Sequence, residues 1–331
     1  MPVIMARAPL RMPIGGGGTD LPSYYSRFGG FFVSAAIDKY VYVTVNRPAA
    51  DDLIRVKYSR SEEVVRPEEI VHDLVRETLL KLALTANLEV ASMADVPAGT
   101  GMGSSGSYLV ALLLALHALK RDHVSKPALA EEACEIEIEL AGHPVGKQDQ
   151  FAATWGGLNC FEVEPCGRVR VSPLRMPPYV REDLERSVLL YGLDQRRESA
   201  TILGLQREAT ERGDRTVLDS LHRSKELGHE IRAALECGDL VRFGQLLDVH
   251  WNNKKARCGS VSSVRVDAVY QLARENGALG GKVMGAGGGG FLMLMAPDGC
   301  VRQVRETLAA EGLRQLPFTF DLEGAKVLLD L

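Results

Sequence analysis

Three bunches of glycine, far apart in the chain, constrain this sequence most: Gly15 to Gly18, the set Gly99, Gly101, Gly103 and Gly106, and Gly285 with Gly287 to Gly290. Such runs do not belong inside a helix or strand, and in a well-mixed sequence they mark backbone that approaches a ligand closely. The 33 glycines in 331 residues follow no collagen-like period, and with 46% hydrophobic and 25% charged residues the chain is globular. Its formal net charge of -4 gives no pull toward nucleic acid or anionic lipid, so neither is expected as a partner. The six cysteines form no CxxC pair and read as reduced, mostly buried side chains. The N-terminus carries no apolar leader, and the most apolar stretch, Leu109 to Leu119, is too short to span a bilayer. A soluble cytoplasmic protein is expected, with oligomeric state, including a homo-oligomer, left open.

Element signals run strands first, then helices mixed with strands, which favours α+β over a doubly wound sheet. Strands are expected at Val3–Ala8, Phe31–Ile37, Tyr40–Val45, Leu53–Tyr58 and Leu88–Met93. Helices are expected from Pro67 to about Leu84, over Ser107–Lys120, and from Lys126 to about Ala141. The second of these is apolar nearly all round, as a fully buried helix is. Further strands are expected at Gly157–Val163 and Val169–Leu174, and the prolines of Pro173–Pro178 read as a linker. Beyond it come a strand at Ser187–Tyr191 and a helical region from Glu198 to Arg257, broken near Gly213 and Gly238. A helix over Val264–Asn276 and strands around the last glycine bunch follow. A helix at Val301–Glu311 and strands near Pro317–Phe320 and Ala325–Leu329 close the chain.

The middle bunch carries the chemistry. Gly99-Thr100-Gly101-Met102-Gly103-Ser104-Ser105-Gly106 lies between a strand and the buried helix. Glycines let successive N–H groups turn inward, and a helix N-terminus adds partial positive charge, so the loop suits a phosphate. Ser104 and Ser105 stand where a metal on that phosphate would sit. A dinucleotide fold is disfavoured although Gly101 to Gly106 matches GxGxxG. Four residues separate strand from fingerprint, and the chain after Asp122 enters another helix rather than a parallel strand. There is no GxxxxGK[ST] and no protein-kinase signature.

Three separated pieces, Ala8-Pro9-Leu10-Arg11 with Thr19-Asp20, the loop Pro97–Ser107, and Lys282 to Phe291, resemble in order and spacing the motifs of the GHMP small-molecule kinases. The resemblance spans nearly the whole chain. It implies a GHMP kinase fold, with a ribosomal-protein-S5-like N-terminal domain over residues 1–175 and a ferredoxin-like α+β domain over 176–331. Within the superfamily, Gly16 to Pro22, Gly146 to Ala153 and Gly277 to Lys282 look most like the D-glycero-D-manno-heptose 7-phosphate kinases.

That resemblance implies ATP and Mg²⁺ as cofactors and a sugar phosphate as the second substrate, phosphorylated at its anomeric hydroxyl. It assigns the phosphate cradle to Gly99, Gly101, Met102, Gly103, Ser104 and Ser105, the metal to Ser105 and Glu137, and catalysis to Asp149 with Arg11. An arginine beside a carboxylate steadies it as an electrostatic anchor at some cost to its strength as a base. Read alone, Glu137 is one acid among Glu131, Glu132, Glu135 and Glu139, for which a solvated helix face is the simpler account, and Asp149 also suits a helix N-cap. Galactokinases carry Glu and His where this chain has Gly17 and Gly18, which leaves room for a larger sugar beside Thr19 and Asp20. Arg197 and Lys255 match basic positions suited to its phosphate, and Gly287 and Gly288 complete the expected substrate site. A different sugar or cyclitol as acceptor, or a catalytically silent sugar sensor, are the rival readings.

Overall fold

The computed structural model describes residues 3–193, 199–257 and 261–331. Hydrophobic continuity decides its first sheet. In β1 (Val3–Gly15) inward residues alternate up to Arg7, and every residue from Ala8 onward is buried. β2 (Gly30–Asn46), antiparallel to it, is buried throughout its first half and alternates in its second. The doubly covered halves lie side by side, with Arg11 opposite Ala36. A strand covered on both faces reads as a continuous apolar run, so an arginine inside one needs a partner.

The expected strand at Val3–Ala8 therefore runs on through Pro9 and Pro13. Each proline lacks an N–H, and the register shifts at Pro9/Leu10 and Pro13/Gly15 absorb the loss. The two strands expected at Phe31–Ile37 and Tyr40–Val45 are one bent strand for the same reason. The sheet continues through β3 (Ile54–Lys57), β4 (Ser61–Val64) and β5 (Leu88–Ala94) in the order β11-β1-β2-β5-β3-β4. β6 (Leu158–Val163) and β7 (Val169–Pro173) extend it from the first half of β2. Its last member, β11 (Lys326–Asp330), brings the end of the chain back against β1.

Between these strands lie α1 (Pro22–Phe28), α2 (Asp73–Lys81), α3 (Ser104–Lys120), α4 (Lys126–Cys134) and α5 (Gln148–Trp155). α1 follows the first glycine bunch, where no helix was expected; Pro22 opens it. The expected linker at Pro173–Pro178 instead leads into α6 (Pro178–Ser187), with proline again in the first turn. Then come β8 (Val188–Leu193), α7 (Ser199–Glu211), α8 (Arg215–Glu236), α9 (Leu240–Arg257) and α10 (Val264–Glu275). β9 (Gly280–Val283), β10 (Gly290–Met295) and α11 (Asp298–Ala310) complete a second, antiparallel sheet ordered β8-β10-β9. Pro317–Phe320 forms only an isolated bridge, Phe320 to Ile37.

Helices α3 and α8 both pack on β1 and β2, and their residues Leu109, Leu112, Leu227 and Ile231 are fully buried there. Trp251 of α9 and Tyr270 of α10 belong to the core behind the second sheet. The glycine loops sit where these two layers meet. No helix among the described residues is long and apolar enough to cross a membrane.

Candidate active site

Arg11 is 5% exposed in the doubly covered part of β1, and its guanidinium resolves that burial with three short contacts. Nε donates to Asp149 Oδ1 at 2.7 Å, Nη2 lies 2.7 Å from the same oxygen, and Nη1 donates to the Gly101 carbonyl at 2.6 Å. The Arg11 backbone N–H donates to the Met102 carbonyl at 3.0 Å, so strand β1 and the glycine loop are stitched at two points. Asp149 is the second residue of α5, whose N-cap is Lys147, and it caps nothing. Both guanidinium contacts fall on Oδ1, and among the described residues none donates to Oδ2. The loop closes tightly over the pair: a Cβ on Gly103 would stand 3.1 Å from Asp149 Cγ, and one on Gly106 would stand 2.6 Å from Asp149 Cβ.

The second and third glycine bunches pack backbone against backbone. Gly101 has φ of +77°, and a Cβ there would lie 2.7 Å from the Met284 carbonyl oxygen. A Cβ on Gly290 would lie 2.2 Å from the Thr100 carbonyl oxygen. Much of the glycine content is therefore there to let two main chains touch, beyond any contact with a ligand. Gly287 and Gly288 do not face the site as expected: they fold onto Val261, whose carbonyl accepts the Gly288 N–H at 2.7 Å. Gly285 and Ala286 take the wall instead.

Two cavities open on either side of the Arg11–Asp149 pair, and both residues line both of them. The first, of about 740 Å³, has Gly99, Gly101, Gly103, Ser104 and Ser105 at the N-terminus of α3 as its polar end. Met102, expected in the cradle, is fully buried and does not line the cavity, its carbonyl taken by the Arg11 N–H. The far end is apolar, with Val41, Leu74, Met93 and Val96 around Tyr58, His72 and Tyr108. His72 lies between the two tyrosines, edge-on to Tyr58 at a ring distance of 4.8 Å and tilted against Tyr108 at 5.2 Å, and burial pushes its pKa down. His72 Nδ1 and Tyr108 Oη are buried without hydrogen-bond partners. An enclosed apolar slot with a few polar atoms at one end, and an amide-lined loop at the other, matches the two chemistries of a nucleotide.

The second cavity is smaller, about 100 Å³, and rich in charged side chains. Gly17, Gly18, Asp20, Gly146 and Gln148 line it together with His250, Lys254, Arg257 and Lys282, and a Cβ on Gly18 would stand 3.2 Å from Arg257 Nη1. Asp20 accepts from the backbone N–H of Gly18 at 3.0 Å and of Gln148 at 3.2 Å. Burial and the nearby Asp149 carboxylate raise its pKa. Thr19 is buried behind the loop, its hydroxyl 2.8 Å from the Gly16 carbonyl and 2.9 Å from that of Phe31, so it fastens the turn and does not reach the cavity.

Lys255 is a correction. It lies on the outer side of α9, 3.3 Å from Asp267, whereas Lys254 is buried in the cavity wall. Successive residues on a helix are about 100° apart, while positions four and seven apart share a face. His250, Lys254 and Arg257 have that spacing, and it was the signal available in the sequence. Arg197 lies outside the described residues. Leu203 and Gln206 of α7, also missed, cover the junction of the two cavities.

Glu137 is 1% exposed, alone among its acidic neighbours. Residues Glu135–Leu140 continue α4 as a wider turn in which the Ala141 N–H donates to the carbonyl of Ile136, five residues back. That extra residue per turn re-aims the stretch and carries Glu137 inward with Ile136. Its Oε2 accepts from Gln150 at 2.7 Å, while Oε1 has no hydrogen bond and stands 3.5 Å from His143 Nδ1. The carboxylates of Glu137 and Asp73 hold the His143 pKa up at about 9. Among the described residues no group of three or more His, Cys, Asp or Glu side chains is assembled for a metal. Ser105 lines the first cavity and Glu137 does not. Glu137 Oε1 and the Ser105 hydroxyl at the phosphate end are hard donors that suit a cation taking its other ligands from nucleotide phosphates and water, for which Oε1 would exchange its ion pair with His143.

Comparison with known proteins gives the same assignment by another route. Residues 69–157 match the family model of the GHMP kinases N terminal domain, and residues 231–313 that of the GHMP kinases C terminal. The D-glycero-alpha-D-manno-heptose 7-phosphate kinase of Campylobacter jejuni is 29% identical over 98% of this chain and 99% of its own. A galactokinase of Pyrococcus furiosus is 30% identical over 66% of this chain and 67% of its own. The crystal structure of a D-glycero-D-manno-heptose 1-phosphate kinase from Bacteroides thetaiotaomicron superposes with a TM-score of 0.79 at 25% identity, covering 98% of both chains. With both halves of the fold and both glycine loops accounted for, the chain belongs to the GHMP kinase family and is a phosphotransferase of the sugar-kinase type.

Proposed function

We propose that the chain transfers the γ-phosphate of ATP to the anomeric hydroxyl of D-glycero-D-manno-heptose 7-phosphate, giving the 1,7-bisphosphate. The observation that carries this reading is the shared wall. Arg11 and Asp149 line both a cavity with the glycine loop of α3 and a cavity that holds Asp20 together with His250, Lys254, Arg257 and Lys282. The base occupies the slot of Tyr58, His72 and Tyr108, and the phosphates lie along Gly99 to Ser105. Asp20 and the bare wall of Gly17 and Gly18 take the hydroxyls of the sugar, while Lys254, Arg257 and Lys282 neutralise its phosphate. Ser105 and Glu137 would hold a Mg²⁺ ion, which would supply positive charge against the donor phosphates.

Asp149 Oδ2 accepts the anomeric O–H and aligns that oxygen with the γ-phosphorus. As the new O–P bond forms and the bond to the β-bridging oxygen breaks, the proton passes to the carboxylate, and Arg11 balances charge on the transferring group. Phosphoryl transfer through a loose transition state moves the proton late, so a carboxylate steadied by an arginine is base enough. The test is acceptor-dependent ADP release across six- and seven-carbon sugars with and without a terminal phosphate. The phosphorylated heptose is expected to give the highest kcat/KM, with a product phosphorylated at C1. No turnover on it, or a product phosphorylated elsewhere, refutes the proposal.

A further inference from the structure

His250 is 2% exposed, lines the second cavity, and has neither ring nitrogen hydrogen-bonded to any of the described residues. Buried polar atoms are nearly always paired, and one side chain with two orphans aimed at a cavity points to a ligand that pairs them. The groups facing it are cationic: Lys254 and Arg257 on its own helix and Lys282 on β9. Lys282 gives one of its N–H groups to the Ile14 carbonyl at 2.8 Å, and Arg11 on β1 is the next charge beyond it. The carboxylates of Asp20 and Asp149 line the same cavity. Burial and these cations keep the imidazole neutral, with a pKa well below the ordinary histidine value, so it holds one N–H to donate and one lone pair. A neutral donor among ammonium groups suits an anion rich in acceptor oxygens.

We propose that His250 is a specificity-determining residue of the acceptor site, donating to the phosphate carried by the sugar and so separating phosphorylated from unphosphorylated acceptors. The proposal rests on the acceptor reading given above. It is tested with D-glycero-D-manno-heptose 7-phosphate and the same heptose without phosphate, on the wild-type chain, His250→Leu and His250→Gln. His250→Leu is expected to raise KM for the phosphorylated heptose about tenfold, the discrimination of one hydrogen bond to a charged group. Its kcat, its KM for ATP and its KM for the unphosphorylated heptose stay within about twofold. His250→Gln, which keeps a donor, recovers most of the preference. An unchanged preference in His250→Leu overturns the proposal while leaving the phosphosugar reading intact. A wild-type chain with no preference for the phosphorylated heptose overturns the phosphosugar reading itself. Independently of the Leu variant's folding, one histidine ring ¹⁵N signal, absent in His250→Gln, is expected to shift on adding the phosphorylated heptose. The same signal unmoved overturns the proposal.

Discussion

Removing Arg11 tests the centre of the site by two separate readouts. The side chains of Arg11 and Asp149 are 6% and 23% exposed, and their contacts are 2.7 Å long. Deleting one partner of a buried pair costs roughly 3–5 kcal/mol because the other charge is left uncompensated. Water reaches Asp149, which lowers the expected cost of Arg11→Met to about 2–4 kcal/mol. Asp149→Asn leaves Arg11 with the Gly101 carbonyl and an amide oxygen and is expected to cost about 1–3 kcal/mol. In the double variant no orphan charge remains. Its cost is expected to fall about 2 kcal/mol short of the sum of the singles. For 331 residues, 1 kcal/mol corresponds to about 1.5 °C in Tm, so thermal unfolding of the four proteins resolves the difference. Turnover is not restored in the double variant: each single and the double lose a factor of about 10²–10³ or more, while nucleotide binding survives. Additive stability losses would mean that the pair is not energetically coupled, and near-normal turnover in Asp149→Asn would remove that residue from the mechanism.

Gly146→Ala places a methyl 2.1 Å from Asp20 Oδ2 and 2.8 Å from the Asp20 carbonyl oxygen. The carboxylate must leave its two backbone donors, so KM for the acceptor is expected to rise by about tenfold or more with KM for ATP nearly unchanged, as steady-state kinetics will report. Lys255→Ala, on the outer side of α9, is expected to leave both KM values within about twofold; a large rise in acceptor KM would return Lys255 to the site. The Lys282 pKa is pushed down to about 7, by burial first and by Arg11 second. Its charge is present below that value and lost above it, so kcat/KM for a phosphorylated acceptor is expected to fall as pH rises through about 7, and Lys282→Met to flatten that limb of the profile.

Helix spans in the second half were legible from periodicity and glycine breaks: α7, α8 and α9 stop at the glycines and caps that the sequence displays. The pairing of Arg11 with Asp149 was legible only through resemblance, because 138 positions separate them and no local pattern links a strand to a helix so far away. Misreadings cluster where proline and glycine carry two meanings. Pro22 starts a helix where none is expected, Pro178 starts one where a linker is expected, and Gly287 and Gly288 serve packing where ligand contact is expected. Lys255 was chosen over Lys254 because adjacent lysines look alike in a sequence, and helix phase alone separates them. The inward turn of Glu137 depends on a local change of helical pitch that composition does not announce.

The cations of the second cavity also hold the two halves of the site in register. Lys282 of β9 donates to the Ile14 carbonyl of β1, and Lys254 of α9 donates to the Gly285 carbonyl at 2.7 Å, next to the contact between the glycine loops. Arg11 ties the same loop to β1 through the Gly101 carbonyl. The counter-charges proposed for the acceptor and the phosphate cradle proposed for the donor are thus fixed to one another through main-chain carbonyls. In-line transfer needs that registration, because misplacing the reacting atoms by about 1 Å costs roughly a hundredfold in rate. Replacing a lysine here therefore acts twice, by removing charge from the acceptor and by loosening the joint between the sheets. The first effect enters KM and the second kcat, and the two separate only when both parameters are measured on the same variant.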